Sequence, residues 1–178
     1  MTIERIQPPQ SDEYGSYYAA YVGRVPPDSD IFALLRQQPA DLRDLLASVS
    51  EDQTMVRPAP GEWSIREVLG HLCDTERIFA YRALCVARGD STPLPGFEQD
   101  DYVRATDFNA RSLADLLDEF ELQRRANIVC FMPLTEIELL RRGTASENPI
   151  TARSLLFMMA GHVLHHIESF RMDYHISD

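Results

Sequence analysis

The chain has 178 residues, the size of one domain around one core, so a single unit over 1–178 is expected. Its 44% hydrophobic and 25% charged content is ordinary globular usage and excludes disorder and fibrous repeats. Acidic residues outnumber basic ones 28 to 17, and the net charge of -11 repels phosphate backbones and anionic bilayers, which argues against nucleic acid or a membrane as partner.

In chain order, the first element is aromatic. Tyr14, Tyr17, Tyr18 and Tyr21 fall at i, i+3, i+4 and i+7, which predicts a short N-terminal helix ended by Pro26 and Pro27, within a decoration over 1–27. The stripe is expected to pack on the rest of the fold, in preference to forming a pocket lid or a dimer contact. A helix over 31–49 follows, opened by Asp28 or Asp30, with Pro39 marking a kink or short break. Ser64 and Glu67 form an S-x-x-E capping box that opens a long helix over 64–88, stopped by Gly89. Residues 89–111, rich in Pro, Asp and Gly, are too long for a tight turn and predict a crossover along the bundle. Ser112 opens the next helix, which stops before Pro133, and the last begins near Thr151 and continues past Phe170. Four long helices over 28–178 predict an all-α four-helix bundle, with an extra N-terminal helix and a long crossover between the second and third bundle helices.

Three of the five histidines crowd one turn of the last helix. Leu155, Met159, Val163, Ile167 and Phe170 define its apolar face, with His162 and His166 at the edge of that face and His165 turned away. An i, i+4 pair of imidazoles can place two nitrogens on one cation, and a third ligand must come from another element. His71 is the long-range candidate, because it lies inside a long helix at matching depth if the two helices pack antiparallel, whereas His175 sits near the terminus. The competing reading makes His162 and His166 half-buried residues near a helix C-terminus, where the dipole favours positive imidazole.

The segment 63–72 (Trp-Ser-Ile-Arg-Glu-Val-Leu-Gly-His-Leu), the downstream Asp74, Glu76 and Arg82, the crossover Pro95-Gly96-Phe97-Glu98, and the closing Ala160-Gly161-His162-Val163-Leu164-His165-His166 together resemble the DinB/YfiT-like superfamily of metalloenzymes. The resemblance covers the chain from about residue 31 onward. It implies an up-down-down-up bundle, a divalent metal, zinc or nickel, held by His71, His162 and His166, and pairing as a homodimer. Ser169 departs from the Gln that many members carry three residues after the last ligand.

Arg124 and Asn127 fall on the apolar side of their helix, beside Phe120 and Phe131. A buried guanidinium requires either an acid, such as Glu121 or one on a facing helix, or a polar cavity; Arg124 is accordingly a candidate contact for a substrate anion. Asp74 is turned from the apolar side and reads as structural, and Cys73 as a core residue. Cys73, Cys85 and Cys130 are odd in number and lack a CxxC pair, so they form neither a disulfide framework nor a cysteine zinc site, and they suit a reducing cytoplasm. Residues 1–14 carry no apolar signal core, and the most apolar window, 155–164, contains His162 and is too short to span a bilayer. No GxSxG elbow, Walker loop or Rossmann fingerprint occurs.

Three imidazoles with an open position describe a catalytic metal better than a structural one, which is normally closed by four protein ligands. The expected function is a cytoplasmic metal-dependent enzyme acting on a small molecule. It is either a metal-water hydrolase or, as the resemblance implies, an S-transferase using a low-molecular-weight thiol. The alternative class is a non-catalytic metal- or ligand-binding bundle of a stress response.

Overall fold

Side-chain caps define the four long helices. In the computed structural model, which describes residues 5–177, Asp30 accepts hydrogen bonds from the backbone N–H groups of Phe32 and Ala33 and opens α2 (Ile31–Leu46). The reciprocal box of Ser64 and Glu67 opens α3 (Ile65–Ala87), Ser112 accepts from the Asp115 N–H to open α5 (Leu113–Phe131), and Thr151 with Ser154 opens α7 (Ala152–Met172). Short elements join them: a 3-10 turn (Ser16–Tyr18) running into α1 (Ala19–Val22), α4 (Gln99–Arg104) within the crossover, and α6 (Glu136–Leu139). A hairpin of β1 (Arg142–Ala145) and β2 (Asn148–Thr151) precedes α7. The first four residues of the N-terminal decoration lie outside the described part of the chain.

Helices α2 and α3 each pack against both α5 and α7, giving the order α2, α5, α3, α7 around the bundle. Direction follows from the contacts. Arg36 meets Met132 while Arg43 meets Asp118 and Glu121, so α2 and α5 are antiparallel. Cys73 reaches the Leu116 carbonyl while Glu76 reaches Asn127, so α3 and α5 are parallel. His71 meets His166 while Phe79 meets His162, so α3 and α7 are antiparallel. The result is the up-down-down-up arrangement, and the parallel pair is what makes a long crossover necessary.

Pro39 neither breaks nor ends α2, and its helix stops at Leu46, short of the expected 49. Proline cannot donate to the carbonyl four residues earlier, which is that of Leu35. That carbonyl instead receives Nη1 of Arg124 at 3.4 Å.

The interior differs from the single continuous core expected. One apolar cluster contains Leu35, Phe79, Ile128 and Leu155, and the other contains Leu42, Leu69, Leu116 and Phe170. Between them in the numbering of every bundle helix lies a buried polar residue, Gln38, Glu76, Arg124 or His162, with His71 and His166 a few residues inside the second cluster. The hairpin was not predicted. Its turn residues Ser146 and Glu147 have φ of 50° and 63°, a conformation normally signalled by Asn-Gly, and Pro149 sits within the second strand. Leu94 of the crossover docks on this hairpin, donating to the Thr144 carbonyl at 2.9 Å and accepting from the Ser146 N–H at 3.1 Å.

The N-terminal segment is fastened to α7 at several places. Glu13 is buried and accepts from Thr151 Oγ1 at 2.9 Å and Arg153 Nε at 3.1 Å. At Gly161 a Cβ would stand 1.9 Å from the Tyr21 carbonyl oxygen, so only glycine lets α1 approach. Gly161→Ala is therefore expected to lower stability by about 1–3 kcal/mol in urea unfolding, by displacing α1; an unchanged midpoint would show that α1 does not rest there.

Candidate metal centre

His71 projects from the middle of α3, and His162 and His166 project from α7 one turn apart. The three are 3%, 4% and 8% exposed. Nε2 of His162 lies 3.0 Å from Nε2 of His71 and 3.1 Å from Nε2 of His166, and the three nitrogens lie within 4.8 Å of one another. The central nitrogen thus has two nitrogen partners, and one proton on it cannot satisfy both. Three nitrogens bound to one ion at about 2.0–2.1 Å in a tetrahedral arrangement stand about 3.3 Å apart, near the two spacings that His162 makes with His71 and His166.

Neighbours hold the rings in place. Thr75, one turn beyond His71, sets Oγ1 3.4 Å from Nδ1, which leaves Nε2 to face the other two histidines. Trp63 packs on His71 with ring centres 4.9 Å apart, while Tyr21 and Phe79 meet His162 edge-on at 5.2 and 6.0 Å. Burial pushes all three imidazoles below the usual histidine value, His71 down to about 4, with neighbouring imidazoles adding to the effect. At neutral pH they are uncharged and have lone pairs free for a cation. His165 is half-buried between Tyr21 and His166, with ring centres at 5.3 and 4.9 Å, and is not part of the group.

A cavity of about 630 Å³ opens in front of this group, and His71, Thr75, Phe79 and His162 form its floor. Its other walls come from outside the four long helices: Tyr17, Tyr18 and Tyr21, the crossover from Gly96 to Tyr102, and Ser146 and Asn148 of the hairpin turn. The tyrosine stripe therefore does two things. Tyr18 packs edge-on against Phe79 at 6.0 Å, as expected, yet the same stripe also walls the cavity. A second hollow of about 590 Å³, beside Trp63 and Arg57, includes none of the three histidines.

Arg124 does not contact this cavity, which corrects its expected role as an anion contact. Its fork spans both carboxylate oxygens of Glu76, at 2.8 and 2.9 Å, and Nη1 donates to Gln38 Oε1 at 2.7 Å. Asn127 donates to the same Glu76 at 2.9 Å. The acid is thus on the facing helix, while Glu121 serves Arg43. A guanidinium so fully paired has no donor to offer a ligand. Cys73 is buried against the Leu116 carbonyl at 3.5 Å, and burial pushes its thiol up, in keeping with a core role.

Residues 34–169 match the family model of the DinB superfamily. The chain belongs to that superfamily. Its fold is similar to YfiT from Bacillus subtilis, described as a probable metal-dependent hydrolase with an unusual four-helix bundle topology. That likeness has a TM-score of 0.73 at 18% identity, over 83% of this chain and 87% of that one. It is also similar to a mycothiol-dependent maleylpyruvate isomerase, with a TM-score of 0.63 at 13% identity, over 78% of this chain and 58% of that one. At these identities the likeness is one of fold. No curated protein matches the chain. Among the described residues, no helix is long and apolar enough to cross a membrane. The DinB match begins after Tyr17, Tyr18 and Tyr21, so these three lining residues lie outside the matched region.

Arg124→Ala leaves the Glu76 carboxylate buried without its partner and is expected to cost about 3–5 kcal/mol in urea unfolding, whereas the double change Arg124→Met with Glu76→Met recovers most of it. A loss below about 1 kcal/mol for the single change would mean that the pair is solvated in solution.

Proposed function

We propose that this DinB-superfamily chain is a metal-dependent hydrolase of a small molecule, with His71, His162 and His166 holding one divalent ion. The observation that carries this reading is the histidine group itself: three buried, neutral imidazoles converging beside a cavity that two of them line. Imidazole nitrogens suit zinc or nickel, and three of them leave a coordination position free. Bound there, such an ion supplies Lewis acidity to a substrate oxygen or to water.

The protein's own residues supply the rest. Thr75 Oγ1 lies 3.4 Å from Nδ1 of His71, placed to accept its proton in the tautomer that leaves the Nε2 lone pair directed inward. Trp63, Phe79 and Tyr21 close the flanks of the imidazoles and exclude bulk water from all but the cavity side. Burial, with a hydrogen bond to Tyr17, pushes the Tyr21 hydroxyl up, so it stays protonated beside the cavity.

Transfer from a low-molecular-weight thiol is the competing chemistry. The two differ in whether turnover requires added thiol, and the cavity of about 630 Å³ lies within the roughly 300–1,000 Å³ typical of small-molecule sites.

Protein purified without added metal is expected to carry close to one equivalent of zinc or nickel by elemental analysis. His166→Ala should lose it while helical circular dichroism persists. In a panel of esters and amides, chelator should abolish hydrolysis and the returned metal restore it. Hydrolysis that survives chelation or His166→Ala contradicts the proposal, and turnover that requires added thiol assigns the site to transfer.

A further inference from the structure

Among the described residues three arginines are buried, and two of them meet an acid: Arg66 pairs with Glu51 and Arg124 with Glu76. Arg82 is 3% exposed and has no acidic partner. Its Nη2 donates to the Pro95 carbonyl at 2.7 Å and to Ser146 Oγ at 3.1 Å, and its guanidinium carbon lies 5.8 Å from the centre of Phe97. Nε and Nη1 have no hydrogen-bond partner among the described residues. No polar side-chain atom there is both buried and unpartnered, so these two nitrogens reach accessible space. A tie between crossover and hairpin needs only a neutral donor, and a buried charge without an acid is strongly unfavourable. The charge itself is what remains to be explained.

Its position supplies the explanation. His71, Thr75 and Phe79 of the cavity floor stand at i, i+4 and i+8 on α3, and Arg82 follows at i+11, about three turns beyond His71 and within about 20° of its bearing. The two side chains that Arg82 meets, Ser146 and Phe97, both line the cavity. Ser146 Oγ accepts from the guanidinium and donates to no acceptor among the described residues, so its own O–H is left for a ligand. The turn that carries it is held in place: Asn148 Nδ2 donates to the Ser146 carbonyl at 2.6 Å, and the Ser146 N–H donates to the Leu94 carbonyl at 3.1 Å. A hydroxyl backed by a guanidinium is a donor set for an anion.

We infer that Ser146 and Arg82 form an anion contact at the hairpin end of the cavity, so that the molecule taken there carries a carboxylate remote from the bond that reacts at the histidines. This names the substrate class of the enzyme proposed above and rests on that reading. The divalent ion assigned to the floor adds positive charge at the other end and does not oppose an anion. The acids of the lining, Glu98, Asp100 and Asp101, and Glu147 beside Ser146 are all exposed, and none bonds to Arg82. Asp101 pairs with Arg104. Water and salt screen exposed carboxylates far more than they screen a buried guanidinium.

The test is NMR titration of the full chain, freed of metal by dialysis, with monomethyl adipate, dimethyl adipate and the methyl ester of ε-aminocaproate. These share a chain and an ester and end in an anionic, a neutral and a cationic group. Metal is left out because zinc binds carboxylates itself. The monoester should bind at least about tenfold more tightly than either of the others. Arg82→Gln should bring it to within about threefold of the diester while leaving the diester unchanged, and Ser146→Ala should weaken the monoester about threefold. Arg125→Gln removes the same charge from the exposed side of α5 and should leave the ranking as it was. Diester or amine binding as tightly as the monoester overturns the inference, as does failure of the monoester to bind. A folded Arg82→Gln variant with the original ranking, or with an equal loss for all three probes, overturns it too, the latter because the role would then be structural. An equal loss from Arg125→Gln also overturns it, since net charge alone would then be the attraction. If Arg82→Gln fails to fold, the ranking on the unaltered chain and on Ser146→Ala decides. Because these measurements are made without metal, absence of bound zinc would sink the enzyme reading while the ranking of probes stands or falls separately.

Discussion

One guanidinium touches all three of the other bundle helices. Arg124 on α5 binds Glu76 on α3, the Leu35 carbonyl and Gln38 on α2, and lies 3.5 Å from the Met159 carbonyl on α7. A charge buried this completely is tolerable only when its donors are paired, and removing a partner costs several kcal/mol. Sliding any helix by one turn, about 5.4 Å, would break several of these bonds at once. The bundle is thereby held in one register, and that register brings His71 level with His162 and His166. Gln38 extends the lock by donating to the Ala160 carbonyl at 2.7 Å, two residues before His162. Apolar packing alone tolerates small shifts that such a network does not.

The rigid part and the selective part of the molecule are built differently. The histidines stand on long helices whose packing fixes them, which suits a metal site that demands ligand positions within a few tenths of an ångström. The cavity walls come instead from short pieces: the turn that enters α1, the crossover with α4, and the hairpin before α7. These pieces secure one another. Leu94 joins the hairpin, Arg82 ties Pro95 to Ser146, and Glu13 ties the N-terminal segment to the start of α7. Loops on a fixed scaffold are where a fold changes its ligand without changing its core.

Much of this was legible in the sequence, wherever the determining interactions are local. Caps at Ser64, Ser112 and Thr151 and the apolar spacing of α7 depend on residues a few positions apart, and the face arithmetic put His162 and His166 together while turning His165 away. What could not be read depends on distant partners. Arg124 stands out as a charge on an apolar face, but its partner Glu76 is 48 residues earlier on another helix, and nothing in the spacing distinguishes that acid from Glu121. The tyrosine stripe shows helical spacing without showing what lies opposite it. The hairpin escaped because Ser146 and Glu147 adopt positive φ without the glycine or asparagine that normally marks it, and contacts with Leu94 and Arg82 hold that turn in place.

In the proposed site three imidazoles, and no other side chain, hold one ion with a position left open. X-ray absorption at the metal edge of the zinc-loaded protein tests it most directly. Three imidazole nitrogens at about 2.0–2.1 Å with their outer-ring scattering are expected, plus one oxygen neighbour from solvent. A sulfur neighbour near 2.3 Å, a fourth side-chain ligand, or fewer than three imidazoles would contradict it.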